Sequence, residues 1–449
     1  MKIFIGIGLI LLVLSVRGEN EVCKTDKEGF KICRKPTTVI THVTRRMGSA
    51  VDAKTHFDMK FDDDTIIGPN AFHTLPLTSI LLGMPYTQER NRLALRTLTL
   101  HPDSFLTSSN IRSLTIIRAN VNLPGNKFNL NTAVEWLRFI ACGFTEVPSE
   151  MIESLPNLDY LSFEGNYLRV IRSHAFSPLK LLRELNLEGN GIVSLELGCF
   201  DGLDNLEVLD LADNQFSPIS GIFNGLKKLT RLDIDNAFGE HQFNFDILQD
   251  TPALVNIRMG NNKIKELKPD MFSICPQLTY LSLFRNNISS VPKGVFNTMN
   301  SLQTVHLAQN EIGTIEPGAF NGLNMNMIYL LDNKVDKVIE TGTFSDLSVL
   351  DINLSASNIR ELKPRAFNGL SARELDLSEN KFTQIGAEDF YGLKVEELRL
   401  KNNNITAIAP NAFKNTKVEK LRLFGNPIDD KDRAIWGLPE TTKILWSEY

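Results

Sequence analysis

The run LQTVHLAQNEIGTIEPGAFNGL, residues 302–323, decides the fold. Its apolar positions are Leu302, Val305, Leu307, Ile312 and Ile315, then Ala319, Phe320 and Leu323, with Asn310 set among them. The opening LxxVxLxxN fits a short strand whose Val305 and Leu307 point inward by the two-residue alternation of strands. The second half, IxxIxPxAFxxL, reads as a turn and a poor helix that tucks its aromatic back under the strand. The same grammar recurs along the chain at nearly constant spacing, as from Leu278 to Leu302. Self-similarity with a period of that order predicts a solenoid, in which each repeat buries its apolar face on the next.

From Val134 the register is clean. Strands are predicted to begin at Val134, Leu158, Leu182, Leu206, Leu229, Leu254, Leu278, Leu302, Met325, Val349, Ala372, Val395 and Val418. These thirteen starts leave no room for a second domain between Val134 and Val418. The ninth position of the repeat is mostly Asn, as at Asn166, Asn190, Asn214, Asn286, Asn310 and Asn380. A buried amide carries donors and acceptors together, so it can satisfy backbone groups left unpaired where a strand ends. Cys142, Ala237 and Ser357 replace it, and the ladder is expected to be weaker there. A second column is aromatic, from Phe176, Phe200 and Phe223 to Phe367, Phe390 and Phe413, and edge-to-face stacking is expected along it. The repeat from Leu229 is irregular, with Phe245 placed to rejoin that column.

The ends read differently. Lys2 followed by the apolar run Ile3 to Val16 makes residues 1–18 a signal peptide, too short to span a bilayer. No later apolar stretch is long enough to cross a membrane as a helix, so a secreted chain without a membrane span is expected. The net charge of −5 becomes −7 once Lys2 and Arg17 leave with that segment, which argues against nucleic acid as a partner. Residues 19–76 are expected to form an N-terminal cap with an atypical first repeat. The solenoid is expected over 77–426, irregular to 133 and regular from 134, with a C-terminal cap over 427–449. Runs at Leu77–Leu82, at Leu95, Leu98 and Leu100, and at Ile111, Leu114 and Ile116 read as degenerate strands, with an insertion or loop between them at Met84–Arg92. In an oxidising compartment Cys23 and Cys33 are expected to pair and staple the N-terminal edge. Cys142, Cys199 and Cys275 fall at inward positions and read as small buried hydrophobes. The long gaps from Cys142 to Cys199 and from Cys199 to Cys275 match no zinc motif, and no metal or cofactor is expected.

The pattern LxxLxLxxNxIxxIxPxAFxxL, recurring in register from roughly Leu77 to Asn426, resembles the extracellular leucine-rich repeat proteins of animals. Toll-like receptor ectodomains, Slit and chaoptin carry repeats of this kind. The resemblance implies an α/β solenoid, a curved horseshoe with a parallel concave β-sheet and an irregular convex side, with partners binding on the concave face. Two departures stand out. Only Cys23 and Cys33 are present where such caps often hold four cysteines, and no cysteine follows Asn426-Pro427.

The family geometry turns strand positions 2, 3, 5, 7 and 8 to solvent, and three zones then emerge. Glu184, Glu188, Glu207, Asp210, Asp213, Asp233 and Asp235 form an acidic zone, in which Asp210 and Asp233 share position 5 on neighbouring strands. Like charges there are expected to raise one carboxylate's pKa. The zone is open to three uses: a basic partner, a cation, or a catalytic pair; a plain solvated face is the alternative to all three. An apolar and aromatic zone holds Tyr280, Phe284, Met327, Tyr329, Leu331 and Leu350, with His306 between them as a contact or packing residue rather than a base. Such a patch marks an interaction site unless its members fold onto one another. A third zone mixes Arg399, Lys401, Lys420 and Arg422 with Glu396, Glu397 and Glu419, as an ion-paired surface does. N-glycosylation triplets begin at Asn287, Asn353 and Asn404, the second of them on the sheet itself.

These readings predict a secreted, non-enzymatic glycoprotein that binds an extracellular protein or other macromolecule through its concave sheet. A structural or matrix protein, or the stabilising subunit of a secreted complex that forms homo- or hetero-oligomers, is the alternative. A cation-binding or enzymatic role has only the Asp210 and Asp233 pair behind it.

Overall fold

The computed structural model describes residues 22–447 except 26–29, 35–38, 46–55, 62, 73–74, 76, 85–94, 107–109, 127, 131–132, 336–337 and 429–432. The signal segment and all but the first residue of the Met84–Arg92 insertion lie outside the described residues. The chain divides into two compact units, Met1–Val134 and Glu135–Tyr449.

The first unit opens on an antiparallel hairpin, Val22–Thr25 against Phe30–Arg34, which sets Cys23 opposite Cys33. The two cysteines are joined as a disulfide. Val39–Arg45 pairs antiparallel to Phe30–Arg34 and passes the sheet on, in parallel, to Thr65–Ile67, Thr97–Leu100 and Asn120–Asn122. A separate parallel sheet runs His56–Lys60, Ser79–Gly83 and Ser113–Ile117. The chain therefore alternates between two sheets. The run around Leu98 and Leu100 belongs to the first of these sheets, and the runs at Leu77–Leu82 and at Ile111–Ile116 belong to the second. All three runs hold strands, as read from the sequence; apolar alternation marks a strand but does not say which of two sheets receives it. Phe30, Phe57, Phe72, Phe105 and Phe128 succeed one another through this unit with ring centroids 5.0–5.6 Å apart.

The second unit is a parallel-strand solenoid. Its main sheet holds, among the described residues, fourteen strands from Trp136–Ile140 to Lys443–Leu445. Each pairs in parallel with the next and equal repeat positions lie side by side, as Leu185 beside Leu209 and Leu281 beside Val305. Opposite lie two-residue strands paired two by two, for example Gln384–Ile385 with Ala407–Ile408. Among the described residues of this unit helix is confined to Ser149–Glu153 and one short tight turn, Phe245–Leu248. The last strand, Lys443–Leu445, extends the main sheet beyond Lys417–Arg422, with Trp436 buried beside Trp446.

The asparagine ladder explains the repeat. Asn310 Nδ2 donates to its own Leu307 O at 3.0 Å and to Leu283 O of the preceding repeat at 2.9 Å. Its Oδ1 accepts from Ile288 N, again of the preceding repeat, at 3.1 Å. Asn190, Asn214, Asn286 and Asn380 repeat the arrangement. Position 8, just before the Asn, turns the chain out of the strand in the left-handed region, at Asp213 (φ 53°), Arg285 (φ 54°) and Glu379 (φ 58°). The expected weak points behave differently. Ser357 Oγ reaches two of the amide's acceptors, Leu330 O and Ser355 O, but has a single proton to share between them. Ala237 has no side-chain donor, and Phe216 N, which would meet an Asn Oδ1, donates to Ala237 O instead.

Over its second half the phenylalanine column stacks face to face, not edge to face. From Phe296 through Phe413 the planes differ by 1–20° with centroids 5.3–6.1 Å apart. Identical translation from one repeat to the next keeps successive rings parallel, and offset stacking is the arrangement that tolerates this. Phe245 does rejoin the column, edge-on to Phe272 at 5.5 Å. Cys199 and Cys275 are buried thiols whose pKa is pushed up to about 12 by that burial, which keeps them protonated and inert.

Repeat length sets strand length. In the longer repeats a turn, such as Leu302 N to Met299 O, precedes a short strand like Thr304–His306. From Asn324 the connection is shorter by one position, that turn is lost, and the strands lengthen, as in Ser371–Asp376.

Asn310→Ala strips partners from Leu283 O, Leu307 O and Ile288 N at once. Each buried group left unpaired costs about 1–3 kcal/mol, so a clearly lower urea midpoint is expected. Asn310→Ser, which copies Ser357, is expected to recover part of the loss. Urea titration followed by circular dichroism measures both.

Candidate binding face

The register of the main sheet builds its solvent face row by row, because strand spacing is about 4.8 Å and side chains alternate. Position 5 runs through Asp210, Asp233, Arg258, Ser282, His306, Tyr329 and Asn353, each on the strand after the last. The face can therefore be read directly along this row.

The acidic zone is real in space. Asp210 and Asp233 are register partners, and Asp233 Oδ2 lies 3.6 Å from Arg258 Nη1. Burial is the largest cause pushing both carboxyls up; repulsion from Asp233 adds to it at Asp210, and repulsion from Asp235 at Asp233. The like-charge repulsion read from sequence is thus present but second to desolvation. Asp235 is raised by burial as well, although Gly260 N donates to its Oδ1. Glu188 reaches about 7, through burial first and then repulsion from Asp210, Glu164 and Asp213. Glu184 sits one row over, between Tyr160 and Val208, and with Tyr160, Asp210 and Asp233 lines a shallow cavity of about 140 Å³. Glu207 acts on Arg183, whose pKa is raised first by its hydrogen bond and attraction to Asp159 and then by the Glu207 charge. Among the described residues no three carboxylate, His or Cys side chains converge as metal ligands would.

Gly260 separates this zone from the aromatic one. Gly260 stands at position 7, between Asp235 and Phe284 of the neighbouring repeats; a Cβ there would stand 2.7 Å from Phe284 O, so position 7 has no side chain at that repeat. Beyond it Phe284 stacks on His306 with centroids 4.9 Å apart and planes 4° from parallel. His306 in turn meets the Tyr329 ring edge-on at 5.0 Å, and burial holds its pKa below the ordinary value. The Arg285 guanidinium lies 5.1 Å over the Phe284 ring and its Nε donates to Gln309 Oε1. These three rings form one half-buried cluster. Tyr280 and Met327 share the neighbouring row, with Thr304 between them. Leu331 lies past the end of its strand, across the buried Ala308 from Phe284. Leu350 is 50% exposed on another row and stands outside the cluster.

Sequence reading missed a second aromatic group. Trp136 and Tyr160 are register partners stacked at 5.0 Å, and the Arg138 guanidinium lies 4.9 Å over the Tyr160 ring. The available signal was two aromatics at the third position of consecutive repeats. At the other end the mixed zone is a network: Glu397 Oε1 accepts from Arg399 Nε and Arg422 Nε, each at 2.6 Å. Burial opposes its ionisation, but the Arg422 and Arg399 hydrogen bonds hold the Glu397 carboxyl below its ordinary range. Of the glycosylation triplets, Asn287 and Asn404 are exposed just past the ladder Asn, and Asn353 is half-buried on the sheet.

Comparison with known proteins agrees with this architecture. A family model described as Leucine rich repeat matches residues 135–192, 182–236, 276–335 and 371–428. Lumican of Coturnix japonica is 28% identical over 217 residues, which are 46% of this chain and 57% of lumican. Toll-like receptor 3 of Boselaphus tragocamelus is 31% identical over 133 residues, 26% of this chain and 15% of the receptor. In a structure of the Drosophila Toll–Spatzle complex, one chain superposes with a TM-score of 0.68 at 20% identity, covering 93% of this chain and 62% of that one. A chain of a TLR13–ssRNA13 complex gives 0.55 at 22% identity, over 86% of this chain and 58% of that one. At such identities the structural likeness speaks to the fold alone. The chain belongs to the leucine-rich repeat family, in its animal form. It spans little more than half the length of lumican. Among the described residues no helix is long and apolar enough to cross a membrane.

The raised carboxyls make stability depend on pH. Glu188 is protonated in both states below its ordinary value of 4.5, but near 7 the folded chain still holds its proton while the unfolded chain has lost it. The folded state therefore loses stability as pH rises from 4.5 through about 7. Glu188→Gln is expected to raise the melting temperature at pH 8 and leave it nearly unchanged at pH 4. Scanning calorimetry across that range measures the difference.

Proposed function

We propose that this protein is a secreted, non-enzymatic recognition protein that holds another macromolecule on the solvent face of its main sheet. The observation that carries the reading is the Phe284–His306–Tyr329 cluster, three rings in contact on a surface open to water. Packing on one another lowers the cost of their exposure and also fixes their orientation. A partner then meets an ordered apolar anchor, and binding loses little conformational freedom. The carboxylates across Gly260 favour a partner with basic groups beside an apolar one, since such groups would relieve the repulsion around Glu188. Lumican and Toll-like receptor 3 as relatives fit a chain whose work is binding.

The test compares wild type with Phe284→Asp, Tyr329→Asp as baits in extracellular fluid from the source animal. Wild type is expected to retain a partner that the double variant releases, with affinity lower by about tenfold or more, as hot-spot losses are. Equal retention by both would move the site off the cluster. A wild-type bait that only self-associates in size-exclusion chromatography would favour the structural role.

A further inference from the structure

We propose that Asn353 carries an N-linked oligosaccharide that stands on the sheet and closes the aromatic cluster on its C-terminal side. The inference rests on reading that cluster as the binding surface, and it fixes where the surface ends.

Asn353-Leu354-Ser355 is an acceptor triplet. Asn353 ends the strand Ser348–Asn353 and is the register partner of Tyr329, the last ring of the cluster. Its Oδ1 accepts from Ser355 N at 2.9 Å and from Ser355 Oγ at 2.7 Å. That leaves Nδ2, the atom that bears the sugar, with no hydrogen-bond partner among the described residues. Nδ2 is not one of the buried polar atoms left unpaired, so it reaches solvent. The residues toward the end of the turn are small: Ser355 and Ala356 follow it, and Ser378 occupies the next strand's equivalent of Ser355. Across the strand from Tyr329 its other register partner is Asp376, so the only ring beside the first sugar is Tyr329, and the Asx turn that holds Oδ1 persists when Nδ2 is substituted.

The chemistry needs a lipid-pyrophosphate oligosaccharide as donor. A bond forms between Nδ2 and sugar C1, the C1–O bond to the pyrophosphate breaks, and the proton lost from Nδ2 leaves with the released lipid pyrophosphate. The product is a bulky hydrated group one strand spacing, about 4.8 Å, from the Tyr329 strand. A partner is then confined to the side toward Phe284 and the carboxylates.

The chain is expressed in an animal secretory host and its glycopeptides are mapped by mass spectrometry. Asn353 is expected to be occupied; an unmodified Asn353 overturns the proposal. Hydroxyl-radical labelling then compares wild type with Asn353→Gln and with Ser355→Ala, which removes the triplet but keeps the Asn353 side chain. Labelling of Tyr329 and Leu331 is expected to rise about twofold in both variants, with the 59%-exposed Tyr167 as an unchanged reference. Occupancy without that rise would overturn the shielding. Neither readout needs a partner, so failure here is distinct from failure of the capture experiment.

Discussion

A single buried amide per repeat is the constraint on which the rest depends. Where each strand ends, the chain turns through a left-handed residue and leaves carbonyls and amides facing inward, away from water. A carboxylate there would lack donors and a hydroxyl would supply too few. Asparagine meets its own repeat and the one before it with one planar group. This links strand ends at a fixed spacing, and the spacing brings the phenylalanines into parallel stacks and the sheet rows into register. Ser357 and Ala237 mark how far the rule bends. A hydroxyl restores part of the pattern, and a backbone carbonyl restores one bond.

The sheet face inherits its properties from that spacing. Neighbouring rows are so close that a charge or a ring at one position interacts with the same position on the next strand. Asp210 and Asp233 are adjacent for this reason, and so are His306 and Tyr329. The fold tolerates the carboxylates through partial neutralisation and through Arg258, and it tolerates the rings through mutual packing. Each zone is a local solution to crowding that the repeat imposes. The mixed zone at Glu397 is the case in which opposite charges answer it fully.

Much of this was legible in the chain. Both columns, the thirteen predicted strand starts of the regular region and the neighbours along position 5 follow from counting, because a repeat converts sequence spacing into distance. What escaped counting had physical reasons. In the first unit two sheets use the same apolar alternation, so Leu98 and Leu100 gave no sign of which they join. Ring orientation in the Phe column depends on translation between repeats, which no single repeat contains. The Trp136–Tyr160 stack was readable in principle, but only if aromatics at the third position are compared across repeats rather than within a zone. The dominance of burial over repulsion at Asp210 needs side-chain depth, which alternation does not give.

The ladder also has a direction. Asn214 satisfies Ile192 N and Leu187 O of the repeat before it, and Asn310 does the same for its predecessor. Every repeat is thus completed by the one that follows. A ribosome releases this chain from its N-terminal end, so the newest repeat to emerge has unpaired groups waiting for the next repeat's ninth residue, in most repeats an asparagine, not yet made. Folding during synthesis must trail elongation by a full repeat, and a stalled chain exposes its defect at the growing end.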